Sequence, residues 1–184
     1  EAALLISGYL GPGCDTGVHL QRIEALATEL RARWSAPAAA AELSPAEVRW
    51  GAEALAALLH QETGLRGNAD DYYDPRNSHL DQVLVRGLGL PITLSIVYME
   101  VARRAGLPAV GLGFPGHFLV GLGPDAARVV VDPFHGGRLL TRGDLLERVH
   151  QQLGPEAPLD PAYLRPVTHR QWLVRLLNNL KAIH

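Results

Sequence analysis

Apolar positions in the first third of the chain predict helices. They recur at roughly helical intervals, at Val18, Ile23, Leu26, Leu30 and Trp34. The run Ala-Pro-Ala-Ala-Ala-Ala at 36–41 has low complexity and predicts a link. Ser44-Pro45-Ala46-Glu47 then has the pattern of a capping box with proline at the first helical position. The helix that follows is expected to stop near Gly64. Four of its apolar residues should face inward: Val48, Leu55, Leu58 and Leu59.

The middle of the chain alternates between helical and extended patterns. A polar loop at 65–76 leads to Asn77 or Ser78, either of which is suited to cap a short helix holding Leu80, Val83 and Leu84. A central helix is predicted from 91 to 105, ended by Gly106-Leu107-Pro108. Three extended runs follow, at 109–114, 117–122 and 128–134.

The last part of the chain again has helical patterns. Thr141 starts a helix that ends at Gly154, and Thr168 and Gln171 form a further capping box. An apolar stripe lies behind this box, at Trp172, Leu173, Leu176, Leu177, Leu180 and Ile183. The order of helices, a small antiparallel sheet and helices predicts an α+β fold. We expect one globular domain made of a helical part at 1–64, a core at 65–154 and a C-terminal helix at 155–184.

Composition excludes several classes of protein. The 184 residues contain 47% hydrophobic and 20% charged residues, and the net charge is −2, so no basic stripe favours nucleic acid. No apolar run is long enough to span a membrane. Cys14 is the only cysteine, which rules out an internal disulfide and fits a reducing cytoplasm. The chain begins with Glu rather than Met, and we expect the native protein to be longer.

A His–Asp pair is predicted from strand arithmetic. The turn between the second and third extended runs falls at 123–126, and a hairpin centred between 124 and 125 places His117 directly opposite Asp132. Such residues share a face of the sheet with Cβ atoms about 5 Å apart. The carboxylate can then fix the imidazole tautomer and leave the other ring nitrogen free for chemistry. The alternative is a purely structural hydrogen bond.

Four strings carry a resemblance to a known family. They are Asp-Asp-Tyr-Tyr-Asp-Pro-Arg-Asn-Ser at 70–78, Gly-Leu-Pro-Ile-Thr-Leu-Ser at 89–95, Gly-Phe-Pro-Gly-His-Phe-Leu-Val at 113–120 and Asp-Pro-Phe-His-Gly-Gly at 132–137. Together with Leu-Leu-Asn-Asn-Leu-Lys at 176–181, they resemble the SirB-like branch of the transglutaminase-like superfamily, from about residue 50 onward.

The resemblance implies a papain-like core, in which a central helix packs on a small antiparallel sheet. It also implies that a tetratricopeptide-like helical segment follows the last helix in related proteins. Some members are linked by name to the regulation of bacterial invasion genes, and a eukaryotic F-box protein carries a similar domain.

The resemblance also shows a departure at the catalytic position. Active relatives carry Gly-x-Cys at the start of the core helix, where this chain has Gly89-Leu90-Pro91, while His117 and Asp132 match the family's His and Asp. Proline starts a helix well but supplies no nucleophile. The hydroxyl of Thr93 or Ser95 is the alternative nucleophile; capping or packing within the helix is the simpler interpretation.

Other residues are candidates for binding. Tyr72, Tyr73 and Asn77 lie in or beside the 70–78 loop, and we expect them, Pro91 and His135 to contact a ligand. The loop aromatics could equally cover the core. A metal site is suggested only by the closeness in sequence of His117, Asp132 and His135, with His79 as a further ligand. The chain has no helical His-Glu-x-x-His motif, so we expect no metal and no cofactor.

Three functions follow from these patterns. The first is a non-catalytic, regulatory domain that binds an unidentified protein or peptide. The second is an acyl hydrolase or transferase that uses Thr93 or Ser95 with the His117–Asp132 pair. The third is a scaffold in which that pair only stabilises the hairpin.

Overall fold

The structure is a computed structural model that describes residues 2–10, 15–35 and 42–183 of the chain. Cys14 and the predicted link at 36–41 lie outside these ranges. The described helices are α1 (Ala2–Leu10), α2 (Thr16–Arg33), α3 (Pro45–Ala56), α4 (Leu80–Arg86), α5 (Pro91–Arg104), α6 (Arg142–Leu153) and α7 (His169–Ile183). The described strands are β1 (Arg66–Gly67), β2 (Leu88–Gly89), β3 (Ala109–Leu112), β4 (Leu119–Leu122), β5 (Val129–Asp132) and β6 (Arg138–Leu140).

The main sheet has four antiparallel strands in the order β3-β4-β5-β6. The three predicted strands are present but shorter than expected, and β6 was not predicted. A strand of only three residues carries too little alternation to be recognised from its pattern. Separately, β1 and β2 form a short parallel pair.

Helix α5 lies at the centre of the molecule. It packs against α2 on one side and against β3 and β4 on another. Residues 91–99 are all buried, because the first three turns carry no charged side chain and have neighbours on every face. The predicted central helix is therefore confirmed, and its packing on an antiparallel sheet gives a mixed α+β structure.

Helix α1 was not predicted, whereas α2 and α3 follow the predicted helical patterns. The buried face of α2 includes Ile23 and Leu30, whereas Val18 near its start is 56% exposed. The capping box at Ser44 is confirmed, because Ser44 Oγ accepts the Glu47 N–H and the Glu47 carboxylate accepts the Ser44 N–H. Beyond α3 the chain continues as a π-helical segment, Ala57–Glu62.

The predicted cap of the short helix is wrong. The N-cap of α4 is His79, and its side chain makes no capping hydrogen bond. Instead, the N–H of Leu80 donates to Ser7 Oγ of α1 over 2.9 Å, at a buried site. A helix distant in sequence thus supplies the acceptor, which no local pattern could show.

The C-terminal helices begin as predicted. Thr141 caps α6, and Thr168 with Gln171 forms the capping box of α7. In the apolar stripe of α7, Leu176 and Leu180 are buried, but Leu177 is 49% exposed. Within the described ranges, every helix is too short or too polar to cross a lipid bilayer.

The contact between α1 and α4 can be tested with Ser7→Ala. The substitution removes the acceptor of the buried Leu80 N–H, so we expect the free energy of unfolding to fall by about 1–2 kcal/mol. Thr28→Ala is the control, because its exposed hydroxyl bonds only within α2, and we expect a change within about 0.5 kcal/mol. Urea unfolding measures both, and equal losses would contradict the assignment.

Candidate functional site

Asp132 is the buried centre of the candidate site. It ends β5, is fully shielded from solvent, and caps the 3₁₀ turn Pro133–His135. Its Oδ1 accepts the backbone N–H of Phe134 at 3.0 Å and that of His135 at 3.3 Å. Pro133, which has no N–H to satisfy, takes the first position of the turn. The backbone of this turn therefore holds the carboxylate through two hydrogen bonds of its own.

Three side chains donate to the same carboxylate. His117 Nε2 donates to Oδ1 at 2.9 Å, His135 Nδ1 donates to Oδ2 at 2.8 Å, and Arg148 Nη2 donates to Oδ2 at 2.5 Å. The predicted contact between His117 and Asp132 is confirmed. Arg148 lies in α6 and was not predicted, because no motif links that helix to β5. We refer to Asp132, His117, His135 and Arg148 as the Asp132 cluster.

The carboxylate sets the tautomers of both imidazoles. An ionised carboxylate only accepts hydrogen bonds, so the ring nitrogens that face it carry hydrogen. In the neutral rings, His117 Nδ1 and His135 Nε2 therefore present lone pairs. Neither nitrogen is hydrogen-bonded to another residue in the described part of the chain. The side chains are 14% and 54% exposed respectively, so one acceptor is recessed and the other is open.

Asp132 stays ionised despite its burial. Burial acts to raise its pKa, but the hydrogen bond and charge of His117, the hydrogen bond from His135 and the charge of Arg148 outweigh it. The pKa of Asp132 is therefore held well below its ordinary value. The cluster keeps one fixed negative charge, neutralised by Arg148, at neutral pH.

The predicted strand register is wrong, although the contact it suggested exists. Val120 lies opposite Val131, two residues away from the partner that the predicted hairpin would give it. The strands are joined through a 3₁₀ turn, Asp125–Ala127, instead of a tight two-residue turn. His117 precedes β4 and reaches Asp132 from the loop after Phe114.

The alternative nucleophiles do not contact His117. Thr93 Oγ1 donates to the carbonyl of Asn77 at 2.8 Å and accepts the Leu90 N–H at 2.9 Å. Ser95 Oγ donates to the carbonyl of Pro91 at 2.7 Å. Both hydroxyls are fully buried, and each has a main-chain acceptor. The hydrogen bond from nucleophile to base that hydroxyl catalysis requires is missing for both residues.

Pro91 starts α5 as expected, and it is buried. Ser95, one turn later, lies 3.5 Å from the carbonyl of Phe118, so the first turn of α5 lies beside the segment that carries His117. Being enclosed, Pro91 is a poor candidate for direct ligand contact.

A buried polar pair that was not predicted from the sequence lies behind the cluster. Tyr98 Oη and His60 Nε2 are buried and have no hydrogen-bond partner in the described part of the chain, and their ring centroids are 5.6 Å apart. Burial, and to a lesser extent the charge of Asp132, raises the pKa of Tyr98. Tyr98 lies seven residues after Pro91 and therefore on the same face of the helix, and this spacing could have indicated that it lies near the site. The π-helical segment that positions His60 has no comparable pattern in the sequence.

Five rings, two of them the imidazoles of the Asp132 cluster, form a continuous aromatic surface. Neighbouring centroids are separated by 5.5 Å from Tyr73 to Tyr72, 6.0 Å from Tyr72 to Phe134, 6.0 Å from Phe134 to His117 and 5.7 Å from His117 to His135. Tyr72 is 40% exposed and Tyr73 is 74% exposed. The predicted binding residues Tyr72, Tyr73 and His135 are therefore brought together on one accessible face.

Asn77 has an internal role. It is fully buried, and its amide nitrogen donates to the carbonyls of Asp71 and Tyr72, while its oxygen accepts from Asn68. These bonds hold the loop that carries the two tyrosines. Asn77 therefore supports the loop beneath the aromatic surface. It was expected to contact a ligand, but its side chain is used in these internal hydrogen bonds.

The cluster includes a possible set of metal ligands. Donor atoms of His117, Asp132 and His135 lie within 4.8 Å of one another, whereas His79 is not in this group. However, the two oxygens of Asp132 already accept N–H groups from the backbone, both imidazoles and Arg148. A metal ion on Asp132 would have to displace these donors and sit beside the guanidinium.

Comparison of the sequence with known proteins finds a family and several relatives. The family model described as Transglutaminase-like superfamily matches residues 18–178. A UPF0162 protein of Xylella fastidiosa strain Temecula1 is 52% identical over 129 residues, which is 68% of this chain and 46% of that protein. A UPF0162 protein of Pseudomonas aeruginosa is 33% identical over 184 residues, which is 100% of this chain and 64% of that protein.

A more distant relative is eukaryotic. Human F-box only protein 21 is 34% identical over 97 residues, covering 48% of this chain and 15% of that protein, which confirms the expected likeness to an F-box protein. The chain spans roughly half to two thirds of the length of the bacterial relatives described above. No solved structure matches the chain.

The charge of Asp132 can be tested with Asp132→Asn. We expect the free energy of unfolding at pH 7 to fall by about 3–5 kcal/mol, because Arg148 loses its buried partner. A lowered carboxyl pKa stabilises the fold above the unfolded-state value near 3.9, and this stabilisation is lost as the pH falls below it. The difference between variant and wild type should therefore shrink between pH 7 and pH 3 in urea titrations.

Asp125→Asn is the matched control for this test. Asp125 is also paired with an arginine, Arg128, but its side chain is 88% exposed. We expect little change at either pH. A loss for Asp132→Asn that stays constant with pH would show that the charge of Asp132 is not the stabilising feature.

Two adjacent glycines test the packing behind the cluster. Both have positive φ, but a Cβ on Gly137 would lie 2.2 Å from Tyr98 Oη, whereas one on Gly136 would meet nothing within 4 Å. We expect Gly136→Ala to cost about 1 kcal/mol from backbone conformation alone. Gly137→Ala should cost about 2 kcal/mol more, through overpacking. Equal losses in urea unfolding would contradict the tight contact with Tyr98.

Proposed function

The chain belongs to the transglutaminase-like superfamily, and we propose that its domain is a non-catalytic module that binds a protein or peptide. The observation that carries this proposal is Pro91 at the first position of α5, where the resemblance to active relatives calls for cysteine. The narrower assignments, to the SirB-like branch, to a papain-like arrangement of the core, to a regulatory role and to the cytoplasm, are part of the same proposal.

The chemistry at the start of α5 supports a loss of catalysis. Proline has neither a thiol nor an N–H, and removal of the nucleophile from such a triad costs about 10⁶ in rate. Thr93 and Ser95 do not replace it, because their hydroxyls are bonded to main-chain carbonyls. His117 keeps its carboxylate partner and has no nucleophile to activate.

The same geometry favours recognition of peptide groups. His117 Nδ1 and His135 Nε2 are acceptors that match the N–H groups of a peptide backbone or of a side-chain amide. Tyr72 and Tyr73 provide exposed aromatic area next to them. Tyrosine is enriched among the residues that dominate binding energy at protein interfaces. We therefore propose that the aromatic surface binds an extended peptide whose amides meet the two imidazoles.

Peptides selected from a random display library on the 184-residue chain test this proposal. We expect Tyr73→Ala to weaken binding of the selected peptide at least tenfold with little change in melting temperature, because Tyr73 is exposed. His135→Ala should weaken binding by a similar factor and also lower the melting temperature, because it removes a donor to Asp132. Trp50→Ala is the control, since Trp50 is 53% exposed on α3, outside the aromatic surface. Calorimetry measures the affinities.

Two results would contradict the proposal. Turnover of a glutaminyl peptide, ester or amide that disappears in His117→Ala would show that catalysis survives. Selected peptides whose affinity is unchanged by Tyr73→Ala, His135→Ala and His117→Ala, with only stability lowered in the last variant, would leave the His117–Asp132 pair a structural role alone.

A further inference from the structure

Arg175 of α7 lies beside the candidate site. Its side chain is partly buried, and its guanidinium packs over the ring of Phe118 with 5.6 Å between Cζ and the ring centroid. Its Nη2 donates to the carbonyl of Phe114 at 3.1 Å. Phe114 and Phe118 are the two ends of the segment that carries His117. Arg175 therefore places a positive charge against this segment.

The charge of Arg175 also acts on the aromatic surface. Burial raises the pKa of Tyr72, and the positive charge of Arg175 acts against this rise. Burial lowers the pKa of Arg175 itself, because part of the hydration of its guanidinium is lost. Electrostatic effects of this kind require short distances in a partly hydrated site. The guanidinium therefore lies near the exposed tyrosine pair.

Arg175 has no counter-ion within the protein, which separates it from the other described arginines. Each of the others either has a carboxylate within 4.0 Å or is exposed to solvent. No carboxylate in the described part of the chain lies within 4.0 Å of Arg175. Asp74, in the loop of the tyrosines, is paired with Arg76 and Arg86 instead. A partly buried cation without a counter-ion costs free energy, which a bound anion would recover.

The guanidinium has donors left for an acceptor outside the protein. Its Nε and Nη1 make no hydrogen bond within the described ranges, and neither is among the unpartnered atoms there that are shut off from solvent. Arginine is the side chain best suited to carboxylates at partly buried interfaces, because it stays charged and offers several N–H groups in one plane. The free donors of Arg175 therefore match a carboxylate.

We propose that Arg175 pairs with a carboxylate of the bound peptide, which makes the aromatic surface selective for peptides with a negative charge beside their aromatic or amide contacts. This inference rests on the proposed function, because it concerns the same surface. The carboxylate belongs to the C terminus of the peptide or to an Asp or Glu side chain. A neutral peptide would contact the tyrosines and leave Arg175 without a counter-ion.

Peptides selected on the 184-residue chain from a library with free C termini test the proposal. Each selected peptide is compared by calorimetry with two neutralised forms, one with a C-terminal amide and one with Asn and Gln in place of Asp and Glu. We expect at least one form to bind at least tenfold more weakly, because its ion pair with the guanidinium is lost. The form that loses affinity identifies the source of the carboxylate. Unchanged affinity of both forms would overturn the proposal.

Variants of Arg175 test whether it supplies the positive charge. Arg175→Gln should weaken binding of the selected peptide about tenfold and leave its neutralised form unchanged, while Arg175→Lys should restore part of the loss. Arg170→Gln is the control, because Arg170 is exposed on the same helix and should leave both affinities unchanged. Melting temperatures check that each variant is folded. A loss shared equally by the charged and neutralised peptides would reduce Arg175 to a support for the Phe114 carbonyl and overturn the proposal.

Tyr73→Ala separates this inference from the proposed function. Peptide binding that is weakened by Tyr73→Ala, but not by Arg175→Gln or by loss of the carboxylate, would overturn the inference and leave the proposed function standing. Peptide binding that none of these changes weakens, or a library that yields no binding peptide, would overturn both.

Discussion

The candidate site depends on one buried negative charge. Asp132 accepts two backbone N–H groups from the turn it caps, and it also accepts from His117, His135 and Arg148. These donors come from the loop before β4, the turn after β5, and α6. An isolated buried carboxylate would be protonated or would unfold the site, so the donors and the charge require one another. The rest of the site is arranged around this constraint.

The central helix contributes the other half of the arrangement. Its buried first turn begins with Pro91 and lies beside the segment that follows His117. In the proposed function, Pro91 keeps the helix start and supplies no thiol, while His117 and Asp132 stay hydrogen-bonded. The site would then serve binding, because the imidazoles present acceptors next to exposed tyrosine rings.

The sequence predicted the elements that depend on local signals. The capping boxes at Ser44, Thr141 and Thr168, and the central helix from Pro91, are all present. The contact between His117 and Asp132 was also predicted, but from a register that the structure contradicts. The contact survives because the 3₁₀ turn after Asp132 and the loop before β4 bring the two side chains together.

The features that the sequence did not reveal depend on tertiary contacts. Ser7 accepts a hydrogen bond from the first residue of α4, which is 73 residues further along the chain. Arg148, in α6, donates to the carboxylate of Asp132 at the end of β5, and these two elements are not adjacent in sequence. His60 is placed by a π-helical segment, which has no sequence signal comparable to a capping box. In each case the partner residue is brought close by the packing of distant elements. The spacing of residues along the chain therefore does not predict the contact.

Asp132 fixes the orientation of both imidazoles and leaves one acceptor nitrogen on each ring. Nitrogen-15 NMR of the histidine rings near neutral pH tests this arrangement, because the chemical shifts distinguish the two neutral tautomers. We expect neutral His117 to carry hydrogen on Nε2 and neutral His135 to carry hydrogen on Nδ1. Rings that average between tautomers, or that hold the opposite ones, would contradict it.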